Sequence, residues 1–329
     1  MNRVQLLARE LIKSDAQFVY ALVILREKMD NNYISMAMPY IGIFADGAEQ
    51  WGRKVGLKIA RFNAEEKAYY EKVRSKHKLF DMEYDDLYKA LYKEFVESDT
   101  HFSCICRPIA KWTKLYDNVG VDYCKKVVCG NTILCGLYSP IGSIKNNFNG
   151  EKIQKLSHVI GELCLIFEGY TLSQNIFDED FNFYYKDFNF FVRCPIKKHN
   201  FDSFCLFSIL CCINYILYFI DKYFLIELPT KLRFAYLQYY YLTGLLDGIN
   251  NKLNTPFSIN KKWINHSFRN CMAHYGLGKD IKENDIVEED LMGGITIKFF
   301  NKNYYELKKE IFWELESLSI QLTEYLFSK

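Results

Sequence analysis

The sequence predicts an all-α protein, and three observations carry that prediction. Apolar residues recur at helical spacing over several long stretches, Asn, Gly and Pro punctuate them, and one region only, 120–150, changes to broken β-branched runs. Half of the 329 residues are hydrophobic and 17% are aromatic, which suits a packed core and excludes a disordered chain. That length allows two domains or one large one. A formal net charge of +2 neither favours nor excludes a nucleic-acid partner, so only local charge bears on that question.

In chain order, Val4, Leu7, Leu11, Phe18, Leu22 and Leu25 space a first helix over 3–29, ended by Asp30-Asn31-Asn32. A stretch punctuated by Pro39 and glycines leads into 48–76, read as one or two basic helices. Met82, Leu87, Leu91 and Phe95 stripe a helix over 81–98. Gly120, Gly130, Gly136, Gly142 and Gly150 then interrupt short apolar runs, which predicts loop or small sheet and a domain boundary near 150. Residues 153–175 read as helix, and the alternating aromatics of 177–191 as an extended connection. Helices return over 201–329: the uncharged run Ser203–Ile220, a helix opened by Pro229 and running to about Lys252, a third opened by Pro256, and a fourth over Tyr304–Phe327. The fourth carries Leu307, Ile311, Leu315, Leu318, Leu322 and Leu326 on one stripe. Four antiparallel helices with short connections make a bundle. The expected division is therefore 1–150, 151–200 and 201–329.

Ser203–Ile220 is long enough to suggest a membrane span, but it contains Ser208, Asn214 and cysteines and is flanked by Asp202 and Asp221 rather than by a Lys/Arg cluster. The expectation is the central rod of a bundle and no membrane. Eleven Cys without any Cys-x-x-Cys, behind a charged amphipathic N-terminus, predict free buried thiols and a cytoplasmic protein. A zinc site at Cys124, Cys129 and Cys135, with Cys104 or Cys106, needs spacings unlike those of known knuckles. No metal or cofactor is expected.

Residues 269–274 read Arg269-Asn270-Cys271-Met272-Ala273-His274, followed by Tyr275 and Gly276. Arg presents a planar fork of donors to phosphate oxygens, and His exchanges protons near neutral pH. Asn270 and His274 are i,i+4 neighbours on one helical face, Phe268 and Met272 take the inward face, and Gly276 or Gly278 is the expected left-handed stop. Arg269, Asn270 and His274 together resemble the Arg-Asn-x-x-x-His signature of the HEPN superfamily, over roughly the last 130 residues. That resemblance implies a helical bundle and a metal-independent ribonuclease working as a homodimer, with RNA as partner and an antitoxin or other regulatory partner in a toxin–antitoxin or antiviral setting. It assigns Arg269 to the scissile phosphate, His274 to proton transfer and Asn270 to orienting phosphate or imidazole. A non-catalytic dimerisation or nucleotide-binding module is the other reading it allows. Apart from the resemblance, the plain structural alternative pairs Arg269 with Asp247 or Glu310 and makes His274 only a C-terminal helix residue. The first 150 residues are then left for sensing, partner binding or RNA capture.

Two further stretches bear on RNA. Between 51 and 80, Arg53, Lys54, Lys58, Arg61, Lys67, Lys72, Arg74, Lys76 and Lys78 face only Glu65, Glu66 and Glu71, with Trp51, Phe62, Tyr69 and Tyr70 interleaved. This composition suits phosphate contact and base stacking by Arg53, Lys54, Lys58, Arg61, Lys72 and Arg74; a solvated helix face is the plain alternative. The glycine spacing of Gly47–Lys54 is that of a phosphate loop, but Arg53, Lys54 and Trp51 are the wrong residues for one. After the motif, Asp280, Glu283, Asp285, Glu288, Glu289 and Asp290 form an acidic loop, either ordinary surface or a restraint on activity.

Overall fold

Two rods buried on nearly every side organise the protein, one from each half of the chain. The computed structural model describes residues 1–26, 32–59, 61–139, 150–166, 176–178, 180–287, 290 and 292–328. Its N-terminal helices are α1 (Arg3–Arg26), α2 (Tyr33–Trp51), α3 (Ala64–Ser75), α4 (Tyr84–Ile105) and α5 (Pro108–Thr113). Strands β1 (Val119–Cys124) and β2 (Val127–Asn131), then α6 (Thr132–Tyr138), α7 (Gly150–Leu165), β3 (Phe183–Phe188) and α8 (Phe190–Arg193) follow. The C-terminal part is α9 (Phe201–Asn214), continued by wider π-helical turns over Tyr215–Tyr223, then α10 (Pro229–Leu253), α11 (His266–His274), α12 (Gly293–Phe300) and α13 (Tyr304–Phe327). The fold is predominantly all-α.

The first rod is α2, in which every residue from Met36 to Ala48 is buried. It runs as one helix through Pro39, correcting the punctuated stretch expected there; the proline forfeits one N–H bond to the carbonyl of Ser35, and burial on all sides holds the helix together. The second rod is α9 with its extension. Phe201–Tyr223 is long and apolar enough to cross a membrane, and 94% of its most apolar window is buried inside the protein itself. The α13 stripe packs down to the last turn, with Leu307, Ile311, Leu315, Leu318 and Leu322 fully buried.

Residues 120–150 were expected as loop or small sheet, and β1 and β2 are the small sheet, closed by β3 in the order β2-β1-β3, all antiparallel. The hairpin turns on Lys125 and Lys126, both left-handed (φ 47 and 70), as the common two-residue hairpin turn demands. Residues 140–149 and 167–175 lie outside the described residues, as does the end of the first predicted helix. One apolar cluster runs from Val4 to Leu326, and the Phe18 ring of α1 lies 5.2 Å from Phe234 of α10.

Candidate active site

The motif helix α11 is only nine residues long, and it starts at His266 rather than at Pro256. Asn265 is the start signal: its side chain accepts the Phe268 N–H at 2.9 Å, the bond that a helix N-terminus otherwise lacks. Tyr236 of α10 fixes that end by accepting the Asn265 N–H at 2.9 Å and donating to the Trp263 carbonyl at 2.9 Å. Phe268, Cys271, Met272 and Ala273 face the core, with the Phe268 ring 4.5 Å edge-on from Tyr236.

The other end is held by a buried ion pair between the two halves of the chain. Arg233 Nη1 donates to both carboxylate oxygens of Asp15, at 2.7 and 2.6 Å, while its Nε donates to the Met272 carbonyl at 3.0 Å. Tyr275 donates its hydroxyl to the same Asp15, and the Arg233 guanidinium stacks 4.3 Å from the Tyr275 ring. These contacts explain a departure from expectation: Tyr275 itself, not only Gly276, takes the left-handed conformation that ends the helix (φ 63 and 59). An L-residue pays about 1–2 kcal/mol there, which the buried ring and hydroxyl offset. Gly47 of α2 leaves the space that the Tyr275 ring fills.

His274 then emerges at the last turn with its side chain 41% exposed and Nδ1 4.0 Å from Oδ2 of Asp46. Asp46 is buried on α2, accepts from Gln50 Nε2 at 2.9 Å and forms an ion pair with Arg74. Burial pushes the Asp46 carboxyl upward, but His274, Arg74 and Gln50 together outweigh it and hold the group below its usual range. Arg74 is delivered by close helix packing: a Cβ on Gly42 would stand 2.6 Å from the Arg74 backbone nitrogen. Beside it the buried His77 donates Nδ1–H to the Arg74 carbonyl at 2.5 Å. Burial, with Lys78, His274 and Arg74 nearby, depresses His77 to about 4, so its ring is neutral near pH 7.

Arg269 lies on the neighbouring face, half-buried, its guanidinium 5.3 Å from the Tyr240 ring and 5.9 Å from the Tyr241 ring. Tyr241 packs in turn on His77, with ring centroids 5.9 Å apart. Arg269 Nε, Tyr241 Oη and His77 Nε2 are all buried without a hydrogen-bond partner. Asp247 and Glu310, the suggested partners of Arg269, bind Lys261 and Lys302 instead, at 2.7 and 3.3 Å. Asn270 turns to the previous turn, donating Nδ2–H to His266 Nδ1 at 3.3 Å rather than meeting His274. What this arrangement offers chemically is a part-exposed imidazole with a carboxylate 4.0 Å from Nδ1, and a guanidinium held by two aromatic faces.

Of the proposed RNA contacts, Arg53, Lys54, Lys58, Arg61 and Lys72 are exposed, whereas Arg74 is committed to Asp46. The stacking expectation is corrected: Phe62, Tyr69 and Tyr70 are core residues, and half-buried Trp51 carries the Lys54 ammonium 4.6 Å from its ring. In the acidic loop, Asp285 binds Lys298 at 2.6 Å and Asp290 accepts the Met292 and Gly293 N–H groups at the start of α12. Those two carboxylates are structural parts of the loop; Glu288 and Glu289 lie outside the described residues. Cys124, Cys129 and Cys135 are buried, Cys104 is exposed, and no cluster of three metal-ligating side chains occurs among the described residues.

No family model, curated protein or solved structure matches the chain. The site therefore stands on its own residues. Motif reading missed Asp46, the carboxylate behind His274. Its signal was present: Asp46 is the sole charge in the run from Tyr33 to Gly47, and a charge in a helix otherwise so apolar needs a partner.

Proposed function

We propose that this protein is a metal-independent endoribonuclease of HEPN type, acting as a homodimer in which two copies of α11 face a shared RNA phosphate. The observation that carries the reading is the half-exposed His274 imidazole backed by the buried Asp46 carboxylate, on the same short helix as Arg269. With Nδ1–H directed at Asp46, Nε2 is left to take the proton of a ribose 2′-hydroxyl. The 2′-oxygen attacks phosphorus, the P–O5′ bond breaks, and the second copy's His274, as imidazolium, protonates the departing 5′-oxygen. The products are a 2′,3′-cyclic phosphate and a 5′-hydroxyl. Arg269 from each copy offsets the charge that grows on the phosphate oxygens. Asn270, turned to His266, belongs in this reading to the helix surface near the phosphate rather than to the orientation of His274.

One observation favours the non-catalytic module instead: Arg269 rests against Tyr240 and Tyr241 with Nε buried, so it needs a small side-chain movement to reach a phosphate. RNA incubated in EDTA separates the two. The nuclease cuts in EDTA, and Arg269→Ala and His274→Ala each remove the activity by about 10²-fold or more while the dimer persists in sedimentation. Intact RNA with the wild type, or undiminished cutting by both variants, leaves the module as the correct reading.

A further inference from the structure

The segment running from the end of α4 through α5 carries its apolar side chains outward. Trp112 is 87% exposed, Ile109 74%, Ile105 69% and Leu115 61%, and none of the six residues of α5 is buried. Local signals alone build that helix. Pro108 opens it, and Lys114 closes it in the left-handed conformation (φ 53), with the Leu115 N–H donating to the Ala110 carbonyl at 2.9 Å. Ile109 and Trp112, three residues apart, are neighbours on its surface. A helix this short is marginal without packing. The side chains that would normally supply packing are in water here, and a run of such residues marks an interaction surface.

Charge supplies a second, independent observation. No Asp or Glu occurs between Asp99 and Asp117, where Arg107, Lys111 and Lys114 stand, nor between Asp187 and Asp202, where Arg193, Lys197 and Lys198 stand. All six cations are exposed. The two stretches lie side by side: Asn189 Nδ2 donates to the Tyr116 carbonyl at 3.0 Å, and the Lys114 ammonium sits 4.8 Å from the exposed Phe191 ring. The acids that bound them are engaged within the protein. Asp99 accepts from Tyr116 and Asn118 at 2.8 and 2.7 Å, Asp117 pairs with Arg193 at 2.6 Å, and Asp202 accepts from Tyr84 at 2.7 Å. Asp187 is hydrogen-bonded to Tyr185. The surface around the exposed apolar side chains is therefore positive.

We propose that this face docks on an anionic lipid bilayer, with Ile105, Ile109, Trp112 and Leu115 entering the headgroup boundary and the cations set against acidic headgroups. Trp and aliphatic side chains beside Lys and Arg are the composition of an interfacial contact. RNA would also answer the charge, but exposed Ile and Leu gain little from phosphate or stacking, whereas a bilayer takes them out of water. The chain lies on the membrane and does not cross it, since the apolar run of α9 is buried inside the protein. The face shares no residue with the His274 site and does not depend on the nuclease reading.

Co-sedimentation of the full chain with vesicles tests it, using phosphatidylcholine alone and phosphatidylcholine containing about 30% phosphatidylserine. Saturable binding to the anionic vesicles is expected, falling by about tenfold or more on phosphatidylcholine alone. Trp112→Ser and Arg107→Glu are each expected to weaken it by about tenfold or more. Both residues are exposed, and an acid suits the N-terminus of α5, so neither change threatens the fold. Absence of wild-type binding to the anionic vesicles overturns the proposal. So does equal binding to both vesicles, or binding that Trp112→Ser leaves unmoved. Without vesicle binding, a dimer that Trp112→Ser dissociates assigns the face to a second copy, and single-stranded RNA binding that Arg107→Glu removes assigns it to RNA.

Discussion

In the proposed nuclease, Asp46 is the residue on which the role of His274 depends. A carboxylate 4.0 Å from Nδ1 favours the ring's protonated form as charge develops on it, and an amide of the same shape does so far less strongly. Asp46→Asn is therefore expected to slow RNA cutting by about tenfold or more while RNA affinity, measured by filter binding, stays within about twofold. An unchanged rate makes Asp46 a structural partner of Arg74 alone. Because Asp46 is held below the usual carboxylate range, it stays ionised through neutrality, so this contribution does not fade on mild acidification. The sequence shows the motif residues themselves, since Arg269, Asn270 and His274 stand together. It hides their surroundings, because Asp46, Arg74, His77 and Tyr241 reach the site from three other parts of the chain, and neighbour lists of that kind are written only in the packing.

At the scale of elements, the motif helix is too short to stand alone and is stapled at both ends, by Asn265 with Tyr236 and by Arg233 with Asp15 and Tyr275. Removing one member of a buried ion pair leaves the other charge without compensation, at a cost of about 3–5 kcal/mol. Arg233→Met is expected to lower the unfolding free energy by about that amount in urea titration, and to release the Met272 carbonyl with it. A loss below about 1 kcal/mol, the range of an exposed pair, contradicts the staple. Legibility differed sharply between elements. The α13 stripe was readable to the residue because its apolar face is buried while much of the opposite face is exposed or half-exposed. Helix α2 was not, because burial on every side erases periodicity and Pro39 argues locally for a break. The start of α11 was misplaced at Pro256 although Asn265, the actual cap, was in plain sight.

At the scale of the molecule, the two halves share one core, so the site is assembled by global folding and is lost with it. His77 makes part of that folding pH-dependent. It titrates at about 4 in the folded chain against 6.5 unfolded, so the unfolded chain binds more protons between those values. Stability is thus fully present above 6.5 and lost as pH falls toward 4, by about 3 kcal/mol for this one ring. Asp122 shifts in the opposite sense and partly masks the loss, so the comparison must be with His77→Gln, in which the Asp122 contribution is common to both proteins and drops out. The wild type is expected to lose about 3 kcal/mol more than the variant between pH 7 and pH 4; parallel stability curves contradict a buried neutral imidazole.

The claim beneath all of this is that the imidazole takes its proton from a ribose 2′-hydroxyl. The direct measurement uses one end-labelled RNA strand and the same strand carrying a single 2′-deoxy residue at the principal cut, both incubated in EDTA. The account predicts that the deoxy linkage survives while neighbouring cuts continue, and that the fragments carry 2′,3′-cyclic phosphate and 5′-hydroxyl ends. Equal cutting at the deoxy linkage, or fragments ending in 5′-phosphate, contradicts it.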